Sequence, residues 1–273
     1  MTTTARRPIL LIAPSLIFMT ALFAWPLIVA IGQALTDPGG PTTIYLQRMI
    51  DDPYFWSAAR NTALLIVVLI PVQFALALTM ALILRERPRF SGLHFYVWVV
   101  PLAISDLAAG LVWLAIFTDR GYLNSILGSD YAYLSHEHPT TMFLAVIIAE
   151  LWRATSLVFV IIVAGLQGVP KDYDEAAEVF GAGYFKRLRH VILPQLRPSL
   201  QVALILRTIL ALETFAVAQA LTGRNLPLLV GETYQWYDFL QNPNVASAIA
   251  LVILAVSLLA AFGYLRLMRE AHR

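Results

Sequence analysis

The stretch Glu175-Ala176-Ala177-Glu178-Val179-Phe180-Gly181-Ala182-Gly183-Tyr184-Phe185-Lys186-Arg187-Leu188-Arg189-His190-Val191-Ile192-Leu193-Pro194-Gln195-Leu196-Arg197-Pro198 is charged and amphipathic, and long apolar runs stand on both sides of it. That setting makes it a polar elbow between two membrane crossings. A hydrocarbon core of about 30 Å needs roughly 20 helical residues to span it. Six segments meet that requirement, at about 9–35, 58–84, 93–117, 139–165, 199–222 and 245–267. The expected fold is therefore all-α and membrane-embedded, with six transmembrane helices. Composition points the same way: of 273 residues, 59% are hydrophobic and 13% charged, against about 25% charged in soluble domains. The apolar run from Ile9 to Ile31 follows Arg6 and Arg7 and exceeds the roughly 7–15 residues of a signal-peptide core, so it is read as a retained span.

Within the elbow, Tyr173, Ala176, Ala177 and Phe180 recur at helical spacing while Asp174, Glu175 and Glu178 fall on other faces. A short amphipathic helix from Asp172 to Phe180 follows. Gly181 and Gly183 interrupt it, and a second helix is expected to carry Tyr184, Phe185, Leu188 and Val191 on one side. Pro194 and Pro198 then mark the return to the bilayer. Pro14, Pro26, Pro71 and Pro101 lie in or beside spans, where each removes a backbone donor and favours a kink.

Positive charge orients the chain, because Lys and Arg collect on cytoplasmic flanks. Of the 19 such residues, thirteen fall on the elbow's side: Arg6, Arg7, Arg85, Arg87, Arg89, Lys171, Lys186, Arg187, Arg189, Arg197, Arg266, Arg269 and Arg273. Arg48, Arg60, Arg120 and Arg224 lie on the other side, and Arg153 and Arg207 fall inside spans. Both termini and the elbow are thus expected in the cytoplasm.

Several chemistries have no footing in the sequence. A formal charge of +2 gives no basis for nucleic-acid binding. The absence of cysteine removes disulfides, thiolate nucleophiles and cysteine metal sites. Lys171 and Lys186 lack the glycine-rich context of a phosphate-cradling loop, and neither a His-Glu-x-x-His helix nor a Gly-x-Ser-x-Gly elbow occurs. His136 and His138 share an outer loop and are read as solvated. Polar groups inside spans need protein or water around them, which singles out Asp106, Glu150, Arg153, Arg207, Glu213 and Gln219. Glu150 and Arg153, three residues apart on a helix, are read as a structural pair.

The spacing of Glu175-Ala176-Ala177, Gly181 and Leu193-Pro194 resembles the EAA loop of ATP-binding-cassette importer permeases, with Val191 where that family usually has Ile. Leu206 to Gly223 resembles the fifth core span of maltose-type, carbohydrate-uptake permeases, and Glu150-Leu151-Trp152-Arg153 resembles the opening of their fourth. The likeness runs from about residue 60 to the C-terminus. It departs at Glu213, where Asp is frequent, and at Gly223-Arg224-Asn225-Leu226-Pro227, where a Gly-Gly-Gly-Pro-like turn is usual.

The resemblance implies the type I ABC importer permease arrangement with a cytoplasmic EAA coupling helix. Residues 1–57 would form an N-terminal helix and outer loop, and 58–273 a five-helix core with its EAA loop at about 168–198. It implies ATPase coupling through Asp172, Glu175, Ala176, Ala177, Gly181, Leu193 and Pro194, and a solute cavity at Arg207, Leu210, Ala211 and Thr214. The implied chain binds no cofactor; ATP and Mg sit on two copies of a partner ATPase subunit. A second homologous permease subunit, an extracytoplasmic substrate-binding protein and a small-molecule sugar substrate complete the implied set, in a bacterial or archaeal plasma membrane. Three other readings stay open at this stage. Arg207 and Glu213 as purely structural groups is one, and an elbow lying on anionic lipid is another. The third is a proton-coupled carrier using Asp106, Glu150 and Glu213.

Overall fold

The computed structural model of the chain describes residues 6–86 and 88–269, without the side chains of residues 6–10, 171 and 267–269. Of the residues used for orientation, Arg87 and Arg273 lie outside the described residues, as do the side chains of Arg6, Arg7, Lys171 and Arg269.

The first span is a helical column of α1 (Arg6–Met19), a π-helical turn (Thr20–Ala24) and α2 (Trp25–Leu35). Pro26 supplies no N–H to the preceding turn, and the widened turn upstream absorbs the misfit. A two-residue hairpin, β1 (Thr36–Asp37) with β2 (Gly40–Pro41), leads to α3 (Ile44–Asp51). The second span is α4 (Pro53–Arg85), whose 33 residues extend about 50 Å at 1.5 Å per residue.

The third span is not the straight helix expected over 93–117. It comprises α5 (Ser91–Val99), a 3₁₀ turn (Val100–Ala103), α6 (Asp106–Phe117) and α7 (Tyr122–Leu127), with the halves bent by 102°. Pro101 opens the 3₁₀ turn, and extended Ser105 restarts the helix by accepting the Ala108 N–H at 3.3 Å. The fourth span is unbroken: α8 (Pro139–Gln167).

The elbow holds α9 (Lys171–Val179) and α10 (Tyr184–Arg187), and a π turn (Leu188–Ile192) joins α10 to α11 (Leu193–Leu212) without a break. Pro194 and Pro198, read as marking the return to the bilayer, lie at the start of this continuous helix and do not interrupt it. The π turn, closed by the Leu193 N–H on Leu188 O, lies immediately before Pro194, and the helix runs on through Pro198. The fifth span instead breaks later, at residues 213–215, and resumes as α12 (Ala216–Thr222), bent by 43°. Next come α13 (Leu229–Tyr234), a further π turn (Gln235–Phe239) and the sixth span, α14 (Pro243–Arg269). Four spans are continuous and two are bent.

By contacts the chain divides into two units, the residues up to Trp56 with Glu232–Ala255, and Ser57–Gly231 with the residues from Val256 onward. The first unit includes the segment from the end of α13 to the start of α14. There Trp236 Nε1 donates to Asp52 Oδ2 at 3.1 Å and Ser247 Oγ donates to Gln33 Oε1 at 2.8 Å. Trp236 is thus tied to the chain itself, while Tyr237 stays exposed.

The second unit contains two apolar clusters. One joins α4, α6, α8 and α12 around Leu65, Leu69, Val146 and Val217. The other joins α4, α8 and α11 around Ala77, Phe159, Ile162 and Leu196. Close approach depends on glycine. A Cβ on Gly110 of α6 would lie 2.7 Å from the Ala220 Cβ of α12, and one on Gly165 of α8 would lie 2.4 Å from Ser199 Oγ of α11. We therefore expect Gly165→Val to destabilise the detergent-solubilised protein by about 1–3 kcal/mol through overpacking. Gly263→Ala, with open space around its Cβ position, should leave the thermal midpoint unchanged, and thermal unfolding of both variants checks the pair.

Candidate functional site

Two polar assemblies stand out within the second unit. The first is the elbow. Helix α9 ends in a Schellman cap: the Gly181 N–H donates to Glu178 O at 2.9 Å and the Ala182 N–H to Ala177 O at 2.9 Å, with Gly181 at φ +76°. Open space surrounds Gly181, so backbone conformation rather than crowding requires the glycine. Gly183 is extended and opens α10.

Three of the four residues that spacing groups on the apolar side of α9 share one face, and Ala177 turns away from it. Tyr173, Ala176 and Phe180, expected together on an apolar side, point to solvent, as do Asp172, Glu175 and Val179. Phe180 and Val179 are 89% and 85% exposed. Facing the body of the unit are Asp174 and Ala177. The reason is electrostatic. Arg85, the last residue of α4, has Nη2 at 3.5 Å from Asp174 Oδ2, and Arg187 of α10 has Nε at 3.5 Å from Asp174 Oδ1. Arg187 also pairs with Glu178. Phe185 is exposed whereas Leu188 and Val191 are half-buried, so α10 and its π turn do not present one common side. Leu193 and Pro194 are half-buried at the start of α11.

The second assembly lies within the spans. Arg207 of α11 is 1% exposed, donates through Nε to Gln73 Oε1 at 2.7 Å and through Nη2 to Glu150 Oε2 at 2.9 Å. Gln73 Nε2 in turn donates to the Glu150 carbonyl at 3.2 Å. Arg153 Nη2 lies 3.7 Å from the same Glu150 oxygen, which is the i,i+3 pair read from the sequence, and Arg153 Nη1 reaches Asp106 Oδ1 at 2.8 Å. The result is a ladder across α4, α8, α11 and the start of α6, with two cations and two anions. Glu150 sits well inside α8, not at its opening. Asp106 and Glu150, two of the carboxylates a proton-driven carrier would use, are both held by arginine.

Of the four residues grouped as a cavity face, Arg207, Ala211 and Thr214 are buried within the chain, and Leu210 is exposed. Thr214 lies in the break between α11 and α12, so helical spacing does not carry the face across it. Glu213, in the same break, is exposed. Gly223, at φ +54° and ψ −126°, opens the following turn, in which Asn61 Nδ2 donates to Pro227 O at 3.0 Å and the Leu229 N–H donates to Thr62 Oγ1 at 3.1 Å.

Sequence reasoning missed Gln73, Arg85 and the role of Asp174. The only signal for Gln73 was an amide inside an apolar run. For Arg85 and Asp174 it was a basic residue ending one helix and an acid beginning another, 89 positions apart in the chain.

Six spans, two of them broken, with an exposed helical elbow define a multi-pass transport permease of the membrane. Residues 73–271 match the model of the family described as binding-protein-dependent transport system inner membrane component, and the chain belongs to that family. It is 30% identical over 279 residues to the trehalose transport system permease protein SugA of Mycobacterium tuberculosis, covering 97% of this chain and 90% of the relative. It is 30% identical over 276 residues to the sulfoquinovosyl glycerol transport system permease protein SmoG of Agrobacterium fabrum, covering 96% and 90%. Among solved structures, it is similar in fold to a chain of a bacterial ABC transporter involved in import of the acidic polysaccharide alginate, with a TM-score of 0.84, 18% identity and 98% of each chain covered. Members of this family are transport subunits and not catalysts.

The ladder's geometry sets an energetic expectation. Arg207→Met alone should cost about 3–5 kcal/mol, because breaking a buried pair leaves a charge in the interior. Combining it with Glu150→Leu should cost clearly less than the sum of the two single changes. A double-mutant cycle on detergent unfolding measures that coupling, and additive costs would contradict a direct pair.

Proposed function

We propose that the chain is the permease subunit of an ATP-driven, binding-protein-dependent importer for a sugar or related polyol, gripped through its elbow by an ATPase subunit. The observation that carries this reading is the outward face of α9. Glu175, Ala176, Val179 and Phe180 are exposed on a helix whose far side is ion-paired to the body of the unit. An exposed face of apolar and small residues with an acceptor carboxylate suits a groove on a partner. Asp172 and Glu175 add charge to that face, Ala177 packs behind it, Gly181 caps it, and Leu193 with Pro194 begins the helix that carries its motion into the membrane.

The names of the relatives, one a trehalose permease and one a sulfoquinovosyl glycerol permease, support a glycosidic solute. The working assembly adds a second, related permease, two copies of the ATPase subunit that hold ATP and Mg, and an extracytoplasmic binding protein. The distribution of Lys and Arg supports an elbow and both termini in the cytoplasm of a bacterial or archaeal cell. For the solute path, Leu210 is the surface group, and Arg207, Ala211 and Thr214 stand behind it and fix the shape of the wall. Movement of the elbow would then tilt the spans and alternate access to that wall.

Glu175→Lys should lower uptake of radiolabelled trehalose by at least about tenfold, within the roughly 5–150-fold range typical of coupling between sites, while membrane insertion stays normal. Uptake in the unaltered assembly should stop on ATP depletion and survive collapse of the proton gradient. Wild-type uptake by Glu175→Lys would remove the elbow from the mechanism.

A further inference from the structure

We infer that Asp174 is the pin of an ion-pair clamp that locks the elbow helix α9 to the end of α4, so that α9 and the spans behind it move as one body. The inference rests on the reading of the elbow as the gripped part and adds how force would leave it. Three observations converge. First, apolar packing does little to hold α9: Tyr173, Val179 and Phe180 all point outward, and among its residues with described side chains only Asp174 and Ala177 turn inward. Second, both covalent joints of α9 contain glycine. Gly168 stands in the link from α8, and Gly181 and Gly183 stand in the link to α10. A helix attached by glycine joints and little buried surface would pivot when pulled.

Third, the inward carboxylate is gripped from two directions. Arg85 closes on Asp174 Oδ2 and Arg187 on Asp174 Oδ1, each at 3.5 Å, with side-chain exposures of 11% and 19% against 24% for Asp174. Arg187 turns its other edge to Glu178, one helical turn further along α9. One guanidinium belongs to the second span. The other belongs to α10, which continues through its π turn into α11. Partial burial protects these pairs from the screening that makes exposed pairs ineffective. Asp174 is therefore a positioning residue, which acts by fixing where α9 points relative to two spans.

The test uses the full assembly, co-purified with its second permease and ATPase subunits. The chain has no native cysteine, so nitroxide labels can be placed at Ile83→Cys on α4 and Val179→Cys on α9, and their separation measured without nucleotide and with ATP and vanadate. With Asp174 present, the separation should be narrow and the same in both states. In Asp174→Asn the narrow distribution should be lost, and in Asp174→Glu, which restores the carboxylate, it should return. Arg85→Gln, which removes one arm only, gives an independent variant if Asp174→Asn fails to assemble, and it should also broaden the distribution. A distribution in the assembled neutral variant that matches the unaltered protein in both states overturns the clamp. Crosslinking from Val179→Cys to the ATPase subunit is scored separately. Its absence in the otherwise unaltered assembly counts against the gripped elbow, whereas its presence together with an unchanged distance distribution counts against the clamp alone.

Discussion

A guanidinium inside a bilayer cannot be left alone, and the Arg207–Glu150 pair is the answer around which the second unit is arranged. Burying either ion without the other is costly, so α11 and α8 must turn those residues toward each other. Once Arg207 faces Glu150 at 2.9 Å, the rotation of α11 about its own axis is set. Ala211, one turn on, is carried inward beside it, and Leu210 is left on the outside. Gln73 fixes α4 in the same way by accepting from Arg207 and donating to the Glu150 carbonyl. Arg153 then extends the network to Asp106, the first residue of α6.

The ladder also accounts for where the backbone is allowed to break. Irregular backbone at membrane depth is tolerated only where protein or a water-filled cavity surrounds it. The third span breaks immediately before Asp106, next to an ion pair, and the fifth breaks six residues after Arg207, with Thr214 buried. The halves beyond these breaks, α6 and α12, pack on one another so closely that Gly110 has no room for a side chain against Val217 and Ala220. Each broken half is thereby braced by the other.

What could be read from the sequence follows from what each signal measures. Hydropathy counts residues and not direction, so the second, fourth and sixth spans were legible while the 102° bend of the third was hidden in an unbroken apolar count. Pro101 and the Ser105-Asp106 start signal were the local traces of that bend. Spacing found the Glu150–Arg153 pair, because i,i+3 neighbours meet on any helix. It gave no access to Gln73 with Arg207, which are 134 residues apart in the chain and meet only once α4 and α11 are packed. In the elbow the motif residues were legible, but the facing of α9 was not. Periodicity assumes that the apolar side is the buried side, and here a charge pair with Arg85 takes the inward position instead.

The two polar assemblies are linked by one antiparallel pair of helices. Helices α8 and α11 are joined at one end by the elbow, packed closely near that end where Gly165 meets Ser199 and Leu196, and tied further along by Glu150 and Arg207. These contacts pair residues whose numbers rise along α8 as they fall along α11, which is the register of an antiparallel helix pair. Close-packed helices shift as units, because their cores are poorly compressible. On the proposed role of the elbow, a displacement applied there would pass to the ladder, and through Arg153 and Asp106 to the break in the third span. The surface at which such a displacement would enter, with Val179, Phe180 and Phe185 projecting outward, has the exposed apolar character of a face that a protein or a membrane covers.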